Sequence, residues 1–353
     1  MKPEMDAQDR KLLNLLQAEF PLDPEPFARL GEKTGESAAA VIQRIERLKR
    51  EHVIRQISAI FDTRALGYKS SLVAMKVAPA RVDQAAEVIN SHPGVSHNYK
   101  RNHEFNLWFT VAVPPDSRLG LEGTVDKLHE LAQADSTRLL PTLRLYKIGV
   151  KLDMTGEQDV AAASDEATYS DLTRPKKSEI SARQIAVIRA LQKDVALVER
   201  PFDAAVAEIG ITVPELLEEA RGFQQRGQMR RFSAVLHHRH AGFIANAMGV
   251  WKVEGENADE IGQVMASFNA VSHCYRRPVY PDWPYSIFSM VHGRSVEDCE
   301  KVLSAISEKT GIAEYRALYS TREYKKTRVE YFTPDSEQWE ERIMAGAAVT
   351  GSR

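Results

Sequence analysis

The chain repeats itself, and this internal repeat constrains its fold more than any other sequence feature. The matched positions at a spacing of 175 residues are Pro26-Phe27 with Pro201-Phe202, Gly35 with Gly210, Ser58-Ala59 with Ser233-Ala234, Arg64 with Arg239, and Gly67 with Gly242. Later matches have slightly larger spacings: "VSHNYKR" recurs as "VSHCYRR" after 176 residues, and Tyr146-Lys147 recurs as Tyr324-Lys325 after 178. Loop insertions produce such a drift, so the sequence predicts a tandem duplication.

Length and composition exclude several classes of protein. A chain of 353 residues exceeds one typical core, which favours two to four domains. The net charge of −2 gives no global attraction to nucleic acid. Two cysteines, Cys274 and Cys299, are too few for a disulfide framework or a metal-binding set, and they favour a reducing compartment. Without a long apolar run or a hydrophobic signal core, we expect a cytoplasmic protein that does not span a membrane.

The first part of each copy has a helical pattern that ends in a strand. Asp6 precedes a leucine-rich helix, and a short second helix begins near Phe27. Ser37 caps a third helix, "AAAVIQRIERLKREH", which has one apolar face. The alternating segment "VIRQISAIFD" follows as a strand. Three helices and a strand predict a winged helix-turn-helix.

The second part of each copy predicts a ferredoxin-like α/β sandwich. Residues 69–150 follow the order strand, helix, strand, strand, helix, strand, and the order returns from about residue 245 to 324. The predicted fold class is therefore α+β, with a winged helix-turn-helix and a sandwich in each half. The predicted boundaries are 1–65 and 66–154 for the first copy, 155–179 for a polar linker, 180–240 and 241–333 for the second copy, and 334–353 for a polar tail expected to be peripheral.

The N-terminal segment "MDAQDRKLLNLLQ", with the helices and strand after it, resembles the leucine-responsive regulator/AsnC family. That resemblance implies DNA binding by the winged helix and dimerisation and ligand sensing by the sandwich. A DNA reader needs basic charge on its third helix. The first copy has a net charge of +2 there, through Arg44, Arg47, Lys49 and Arg50, whereas its counterpart "TVPELLEEARGFQQRGQ" is acidic. We therefore expect DNA binding to be lost and the helix-turn-helix to be inherited.

A cluster of histidine, tyrosine and arginine lies on one predicted strand of each sandwich. Because alternate strand residues share a face, His97, Tyr99 and Arg101 point the same way, joined by His103 if the strand continues. The matching set in the second copy is His273, Tyr275 and Arg277. Guanidinium, phenol and imidazole groups together suit a flat ligand with several carboxylates. The alternatives are solvated polar residues and, for aromatics such as Trp108 and Phe109, sheet core.

The hairpins that follow these clusters, "YKRNHEFNLWFT" and "YRRPVYPDWPYSIFSMVHG", resemble the siroheme decarboxylase family. The resemblance covers nearly the whole chain and implies two related subunit types fused as a pseudo-heterodimer. It implies a carboxy-lyase that removes CO2 from the C12 and C18 acetates of siroheme, giving 12,18-didecarboxysiroheme for heme or heme d1 biosynthesis. No cofactor is implied beyond the substrate's own iron, and siroheme and its product are the implied partners.

The same resemblance implies roles for individual residues. His97, His103 and His273 are candidates for proton donation or for axial ligation of the siroheme iron, and Tyr99 and Tyr275 for proton donation or hydrogen bonding. The implied substrate-binding residues are Lys100, Arg101, Arg276 and Arg277 as carboxylate anchors, and Trp108 and Trp283 as ring-packing residues. No separate metal site is predicted. The run His237-His238-Arg239-His240 invites a metal-site interpretation, but an exposed polar run is favoured there.

The two copies differ at the hairpin. The first contains His103, whereas the second has "PVYPDWP" in the same neighbourhood, so two equivalent sites are not expected. We favour one main site to which the second hairpin contributes. Two other functions remain open on the sequence, a regulator that senses a small molecule or heme and a tetrapyrrole-binding protein without chemistry. Further association into a homo-oligomer is also left open.

Overall fold

The computed structural model describes residues 5–148, 179–236, 245–255 and 257–346. These residues form two compact units. One unit contains the described residues before 69, those from 179 to 236, and 330–333. The other contains 69–148, the described residues from 245 to 329, and 334–346. Each unit therefore combines the corresponding parts of both copies.

The first unit contains the two winged helix-turn-helix motifs. Its elements in chain order are α1 (Ala7–Ala18), α2 (Pro26–Thr34), α3 (Ala38–Arg50), β1 (Ile54–Phe61), α6 (Ala182–Leu191), α7 (Asp203–Ile209), α8 (Val213–Gln225) and β7 (Met229–Leu236). The repeated glycines Gly35 and Gly210 end α2 and α7 with φ of 81° and 77°, a left-handed conformation that glycine adopts most easily. The predicted order of three helices and a strand is confirmed in both copies.

The two motifs contact each other through reciprocal backbone hydrogen bonds. Strands β1 and β7 pair antiparallel along their length. The amide of Phe20 donates to the carbonyl of Phe232 at 2.7 Å, and the amide of Val195 donates to that of Ile57 at 2.9 Å. Phe20 and Val195 are repeat partners, as are Ile57 and Phe232, so the two bonds are related by a pseudo-two-fold axis.

The second unit contains a nine-stranded sheet with helices. Its elements in chain order are β2 (Lys69–Lys76), α4 (Val82–Asn90), β3 (Val95–Arg101), β4 (Leu107–Val113), α5 (Gly120–Ala132), β5 (Ser136–Leu140), β6 (Arg144–Ile148), β8 (Ala245–Trp251), α9 (Ala258–Ser267), β9 (Val271–Arg276), β10 (Ile287–Gly293), α10 (Val296–Thr310), β11 (Tyr315–Lys326) and α11 (Asp335–Met344). The strand order is β5-β2-β4-β3-β11-β8-β10-β9-β6.

The last strand of each sandwich extends into the other copy. The predicted order ends the first sandwich with a single strand, but the structure has two there: β5 pairs with β2 of its own copy, whereas β6 pairs with β9 of the second copy. The single strand β11 behaves in the same way, since Tyr315–Tyr319 pairs with β8 and Ser320–Lys326 pairs with β3. Exchanged strand ends therefore complete each half of the sheet.

Three apolar layers hold the second unit together. One core lies between the first half of the sheet and α4 and α5, and includes Phe109, as predicted. A second core lies between the other half and α9 and α10. A third cluster contains residues of both copies, among them Trp108, Met248 and Trp283. The sheet surfaces that face away from the helices thus meet through aromatic side chains.

The expectation that the C-terminal tail is peripheral is wrong. Residues 335–344 form α11, and Trp339 on this helix is 0% exposed within the first core. The carboxylate of Glu340 accepts hydrogen bonds from the amide of Arg118 at 3.0 Å and from the hydroxyl of Ser117. The tail is mostly polar, and its large buried apolar side chain, Trp339, was therefore not recognised from the sequence.

Several sequence predictions concern residues outside the described part of the chain. The run His237–His240 and the linker, apart from Glu179, lie there. Both cysteines are described; each is buried and neither forms a disulfide. Among the described helices, none combines the length and the apolar character that a membrane crossing requires.

Candidate functional site

The predicted histidine, tyrosine and arginine clusters form two ladders along β3 and β9. In the first ladder (His97, Tyr99 and Arg101), the His97 and Tyr99 ring centroids are 6.2 Å apart and Arg101 Cζ lies 5.7 Å from the Tyr99 ring. In the second ladder (His273, Tyr275 and Arg277), the corresponding distances are 6.1 and 4.8 Å. The prediction that each set shares one sheet face is confirmed.

A β-bulge orients the histidine at the start of each ladder. The strand register shifts between Val95 and His97, and again between Val271 and His273, so that a serine is the extra residue in both copies. The hydroxyl of Ser96 lies 2.9 Å from Nδ1 of His97, and that of Ser272 lies 2.7 Å from Nδ1 of His273. The sequence analysis did not identify these serines, although "VSH" at both sites was the available signal.

The arginines at the inner ends of the ladders join the two copies. Nη1 of Arg101 donates to the carbonyl of Leu318 at 2.9 Å, and Nη1 of Arg277 donates to that of Leu140. The guanidinium groups are deeply buried, at 6% and 8% exposure. Burial lowers the pKa of Arg101 to about 10. In this structure each of the two arginines contacts a backbone carbonyl of the other copy, and their role as carboxylate anchors stays a prediction.

The other two predicted anchors lie on the opposite sheet face. Arg276 Nη1 is 3.5 Å from the carboxylate of Asp259 on α9. Lys100 pairs in register with Arg322. The hydrogen bond from the Tyr324 hydroxyl lowers the pKa of Asp83 on α4, and the charge of Lys100 lowers it further, so Lys100 lies near this helix. The structure therefore places Lys100 and Arg276 on the helix side, away from the tyrosines. Their anchoring role also stays a prediction.

The hairpin between β3 and β4 holds His103 against the second copy. The backbone amide of Asn102 donates a hydrogen bond to the carbonyl of Tyr319 at 3.3 Å. The backbone amide of Tyr319 in turn donates to the side-chain oxygen of Asn102 at 2.7 Å. The amide of Phe105 donates to Nδ1 of His103 at 3.1 Å. Because Nδ1 accepts this hydrogen bond, the neutral imidazole of His103 carries its proton on Nε2.

Burial controls the protonation of His103. Its side chain is half-buried, and desolvation lowers its pKa below the usual value of 6.5, with opposing smaller effects from Glu104 and Arg316. The neutral form with a proton on Nε2 therefore predominates at neutral pH. Within the described residues, Nε2 has no hydrogen-bond partner. His103 thus presents a polarised N–H group beside an aromatic cluster.

The two predicted ring-packing tryptophans lie inside this cluster. Trp108 and Trp283 have ring centroids 5.1 Å apart, and both are almost completely buried. The indole of Trp108 donates to the carbonyl of Phe105 at 2.6 Å. The buried Nε1 of Trp283 has no hydrogen-bond partner among the described residues. In this structure the tryptophans contact each other and the hairpins, and stacking on a ligand ring stays a prediction.

The hairpin of the second copy is fixed to the first copy. Tyr280 and Trp283 exchange backbone hydrogen bonds of 2.8 and 2.9 Å, which closes the "YPDW" turn. The Tyr280 hydroxyl donates to the carbonyl of Leu139 at 2.6 Å, and Asp282 forms a two-pronged ion pair with Arg138. Arg138 also lies 5.2 Å from the Tyr280 ring. The sequence analysis missed Arg138, whose contacts depend on the pairing of the copies.

The exchanged strand ends give the two ladders different neighbours. Beside the first ladder, Lys326 pairs in register with His97 and Glu323 pairs with Tyr99. Beside the second, Ile148 pairs with His273 and Leu145 pairs with Tyr275. Since residues in register share a sheet face, the first ladder has charged neighbours and the second has aliphatic ones. The two ladders are not equivalent, in agreement with the sequence analysis.

Three of the four basic residues of α3 form ion pairs with carboxylates of the same unit. Arg44 contacts Asp6, Asp9 and Glu36, each at 2.8 Å. Arg47 Nη2 is 2.5 Å from Asp9, and Lys49 is 2.7 Å from Asp194. Ion pairs therefore neutralise much of the positive charge that a DNA reader would direct at phosphates.

On the acidic helix α8, the carboxylate of Glu215 completes the helix cap. Glu215 accepts hydrogen bonds from the Thr212 amide at 2.7 Å and from its hydroxyl at 2.8 Å. These bonds, with a smaller contribution from Arg183, lower the pKa of Glu215 to about 2. The residue therefore has a structural role at the start of the second recognition-type helix.

Comparison with known proteins supports the duplicated architecture. The AsnC-like ligand binding domain matches residues 65–147 and 240–325. The siroheme decarboxylase NirDL-like HTH domain matches residues 9–55 and 184–230. Both domain types thus occur twice in one chain, as the sequence repeat predicted.

Relatives match either the whole chain or one of its two copies. The siroheme decarboxylase of Hydrogenobacter thermophilus is 38% identical over 330 residues, covering 93% of this chain and 96% of the relative. The siroheme decarboxylase beta subunit of Methanosarcina barkeri is 44% identical over 145 residues, 41% of this chain and 95% of the subunit. A crystal structure of the siroheme decarboxylase NirDL with an iron-uroporphyrin III analogue matches with a TM-score of 0.77 and 32% identity, covering 96% of this chain and 99% of that one. The chain belongs to the siroheme decarboxylase family.

Proposed function

We propose that this chain removes carbon dioxide from the C12 and C18 acetate side chains of siroheme, giving 12,18-didecarboxysiroheme for heme or heme d1 biosynthesis. The observation that carries this proposal is similarity along both copies to one enzyme, 38% identity over 93% of the chain. A solved relative with an iron-uroporphyrin III analogue supports a tetrapyrrole as the ligand. Siroheme is the substrate here, and its iron is part of it.

The reaction sets the requirements for the protein. Breaking the bond between an acetate methylene and its carboxylate releases CO2 and leaves an electron pair that the macrocycle delocalises. A proton must then reach the methylene carbon to form a methyl group, once for each acetate. The protein has to hold the ring, orient the reacting acetate and supply the proton. We propose that it does so with no organic cofactor of its own.

We assign proton donation to His103 and to the ladder histidines His97 and His273. The contacts of His103 support this role, because its Nδ1 accepts from the Phe105 amide and its proton is therefore on Nε2. Tyr99 and Tyr275 are proposed to donate a hydrogen bond or a proton beside them. Axial ligation of the siroheme iron by one of the three histidines is the alternative use of the same imidazoles.

The remaining predicted residues complete the proposed site. Lys100 and Arg276 on the helix side, and Arg101 and Arg277 at the inner ends of the ladders, are the proposed carboxylate anchors. Trp108 and Trp283 are proposed to support the reacting ring from the aromatic cluster in which they lie. We propose one main site at the second ladder. Leu145 and Ile148, which pair with Tyr275 and His273, give this ladder an apolar border against which the substrate ring can bind.

The regulator alternative has less support. Arg44 is engaged by three carboxylates, and the wing strands β1 and β7 pair with each other. A reader of duplex DNA needs free cations against phosphates. We therefore propose that the helix-turn-helix motifs associate the two copies and do not read a promoter sequence.

The test is anaerobic incubation of the full chain with siroheme, followed by mass analysis of the tetrapyrrole. Loss of two carbon dioxide units is expected, with siroheme alone and the didecarboxylated product as controls that lose none. Unchanged siroheme with a shifted Soret band would contradict the lyase and leave a binding protein. Tight, salt-sensitive binding to a palindromic promoter would instead support the regulator.

A further inference from the structure

We propose that Ser272 and His292 form a proton relay that supplies Nδ1 of His273 with a proton as the Nε2 proton of His273 leaves. Neither residue was a candidate from the sequence, and both act through His273 as positioning residues. The inference rests on the proposed function, because it gives His273 a proton to deliver during siroheme decarboxylation. It adds the groups that keep the imidazole of His273 neutral as that proton leaves.

The relay is visible in the contacts of one hydroxyl group. Ser272 Oγ lies 2.7 Å from Nδ1 of His273 and 2.7 Å from Nε2 of His292. Ser272 is the bulged residue of β9 and is 5% exposed, whereas His292 on β10 is partly exposed. The bulge turns the serine side chain to the side of the two imidazoles.

A serine hydroxyl has one proton to donate and lone pairs to accept, so it links the two imidazoles directionally. In one arrangement His292 Nε2–H donates to the hydroxyl, which donates to Nδ1 of His273, and His273 then carries its own proton on Nε2. In the other arrangement both bonds are reversed and Nε2 of His273 has a lone pair. The first arrangement becomes the second when two protons move along the line, Nε2 of His273 loses its proton and Nδ1 of His292 gains one.

This exchange balances the proposed reaction. Departure of CO2 leaves an electron pair on the acetate methylene, and the proton on Nε2 of His273 forms the new C–H bond. The hydroxyl proton of Ser272 then moves to Nδ1 of His273, and the Nε2 proton of His292 moves to the hydroxyl. His292 takes up one proton from water at Nδ1, so each decarboxylation consumes one solvent proton and all groups end neutral in the second arrangement. Before the next acetate reacts, Nε2 of His273 takes a proton from water, the two shared protons move back along the line, and Nδ1 of His292 returns its proton to water.

The first copy lacks the second imidazole. Ser96 lies 2.9 Å from Nδ1 of His97 but its other partner is the hydroxyl of Thr110, at 2.8 Å. A threonine hydroxyl accepts and donates hydrogen bonds but has no basic nitrogen to hold a proton at neutral pH. The relay is therefore a property of the second ladder, where the proposed main site lies.

Glutamine and alanine variants separate a relay from a structural contact. His292→Gln keeps a side-chain amide that can bond to Ser272 but cannot take up and pass on a proton. We expect kcat for CO2 release to fall by about 100-fold in His292→Gln and His292→Ala alike, with KM changed less than about threefold. We expect a similar fall in kcat for Ser272→Ala. Ser272→Thr keeps the hydroxyl and should retain most of the wild-type kcat.

The matched control is His129→Gln. His129 Nδ1 also contacts a hydroxyl, that of Thr137 at 2.9 Å, but it lies on α5 away from both ladders. Its kcat should equal that of the wild type, and Soret titrations should give all variants the same siroheme affinity. Wild-type kcat in His292→Gln would overturn the relay, whereas a wild-type chain that leaves siroheme unchanged would overturn the proposed function instead.

Discussion

The imidazole of His103 and the indole of Trp283 meet at nearly a right angle, with ring centroids 5.3 Å apart and an interplanar angle of 84°. One residue lies on the hairpin of the first copy and the other on that of the second. Trp283 also contacts Phe105 and Trp108, so the two hairpins share one aromatic cluster. The histidine without a counterpart in the repeat is thus held by both copies.

His103→Ala should slow the loss of carbon dioxide by about 100-fold, because it removes the proposed N–H donor at the seam between the hairpins. Siroheme binding, followed through the Soret band, should change far less, since the surrounding aromatic residues remain. His129→Gln, a histidine substitution elsewhere in the same unit, is the control and should keep the wild-type rate. An unchanged rate in His103→Ala would remove this residue from the mechanism.

His103 also predicts an acid limit on activity. Burial lowers its pKa below 6.5 in the folded chain, so its neutral form persists as the pH falls below that value. Protonation at Nδ1 would oppose the Phe105 amide and loosen the hairpin. We expect kcat/KM to be steady down to pH 6.5 and to fall as the pH passes through the lowered pKa. A profile that declines already above pH 7 on the acid side would assign the limit to another group.

His92 makes the stability of the second unit depend on pH. Its side chain is buried, its Nδ1 accepts from the Gly94 amide at 3.0 Å, and its ring lies 4.5 Å from that of Trp339. Burial, with a smaller effect of Lys325, lowers its pKa to about 3. The unfolded chain therefore binds a proton below pH 6.5 that the folded chain does not.

The free energy of unfolding should consequently fall by about 2 kcal/mol between pH 6.5 and pH 5 through this group, at about 1.4 kcal/mol per pH unit. Urea unfolding of the wild type and of His92→Gln at the two pH values measures the difference. The variant should be less stable at pH 7 and should lose less on acidification. An equal loss in both proteins would exclude His92 as the cause.

Trp339 should anchor the C-terminal helix. Trp339→Ala leaves a cavity in the first core and is expected to reduce the free energy of unfolding by about 3–5 kcal/mol. Met344→Ala, on the same helix but at a side chain that is 50% exposed, should cost little. Chemical denaturation compares the two variants. Equal stability of both would mean that α11 contributes nothing to the core.

Arg101→Lys should lower stability and raise KM for siroheme, because Arg101 joins the two copies and is a proposed carboxylate anchor. The lysine loses the hydrogen bond from Arg101 to the carbonyl of Leu318, and a charged donor of this kind contributes about 1.5–3 kcal/mol. Arg322→Lys, on the exposed part of β11, is the matched control and should be neutral. Denaturation and KM for siroheme are the measurements. Lowered stability with an unchanged KM would contradict the anchoring role and leave Arg101 with the structural one.

Local patterns were sufficient to predict most of the elements. The period of apolar residues and the caps Asp6 and Ser37 gave the helices of the first unit, and the strand over Val95–Arg101 has the predicted bounds. The shared face of His97, Tyr99 and Arg101 follows from strand geometry alone. These predictions succeeded because each depends on neighbours only a few residues apart.

The features that the sequence analysis did not predict depend on residues that are distant in the sequence. The division of residues 136–147 into β5 and β6 arises because the second piece pairs with β9 of the other copy. Trp339 was missed because one apolar residue in a polar helix gives no periodic signal. Ser272 and His292 meet only through a bulge in a strand pair, whose register no local pattern specifies.

The sequence by itself determined the duplication, the order of elements in each copy and the family, because repeats and periodicity are carried by the residues themselves. Only the tertiary structure decided how the copies combine. The exchange of strand ends placed charged neighbours beside His97 and aliphatic ones beside His273. Which strands pair depends on the burial of whole sheet faces, and this burial is a property of the assembled chain. Two similar segments therefore have chemically different neighbours.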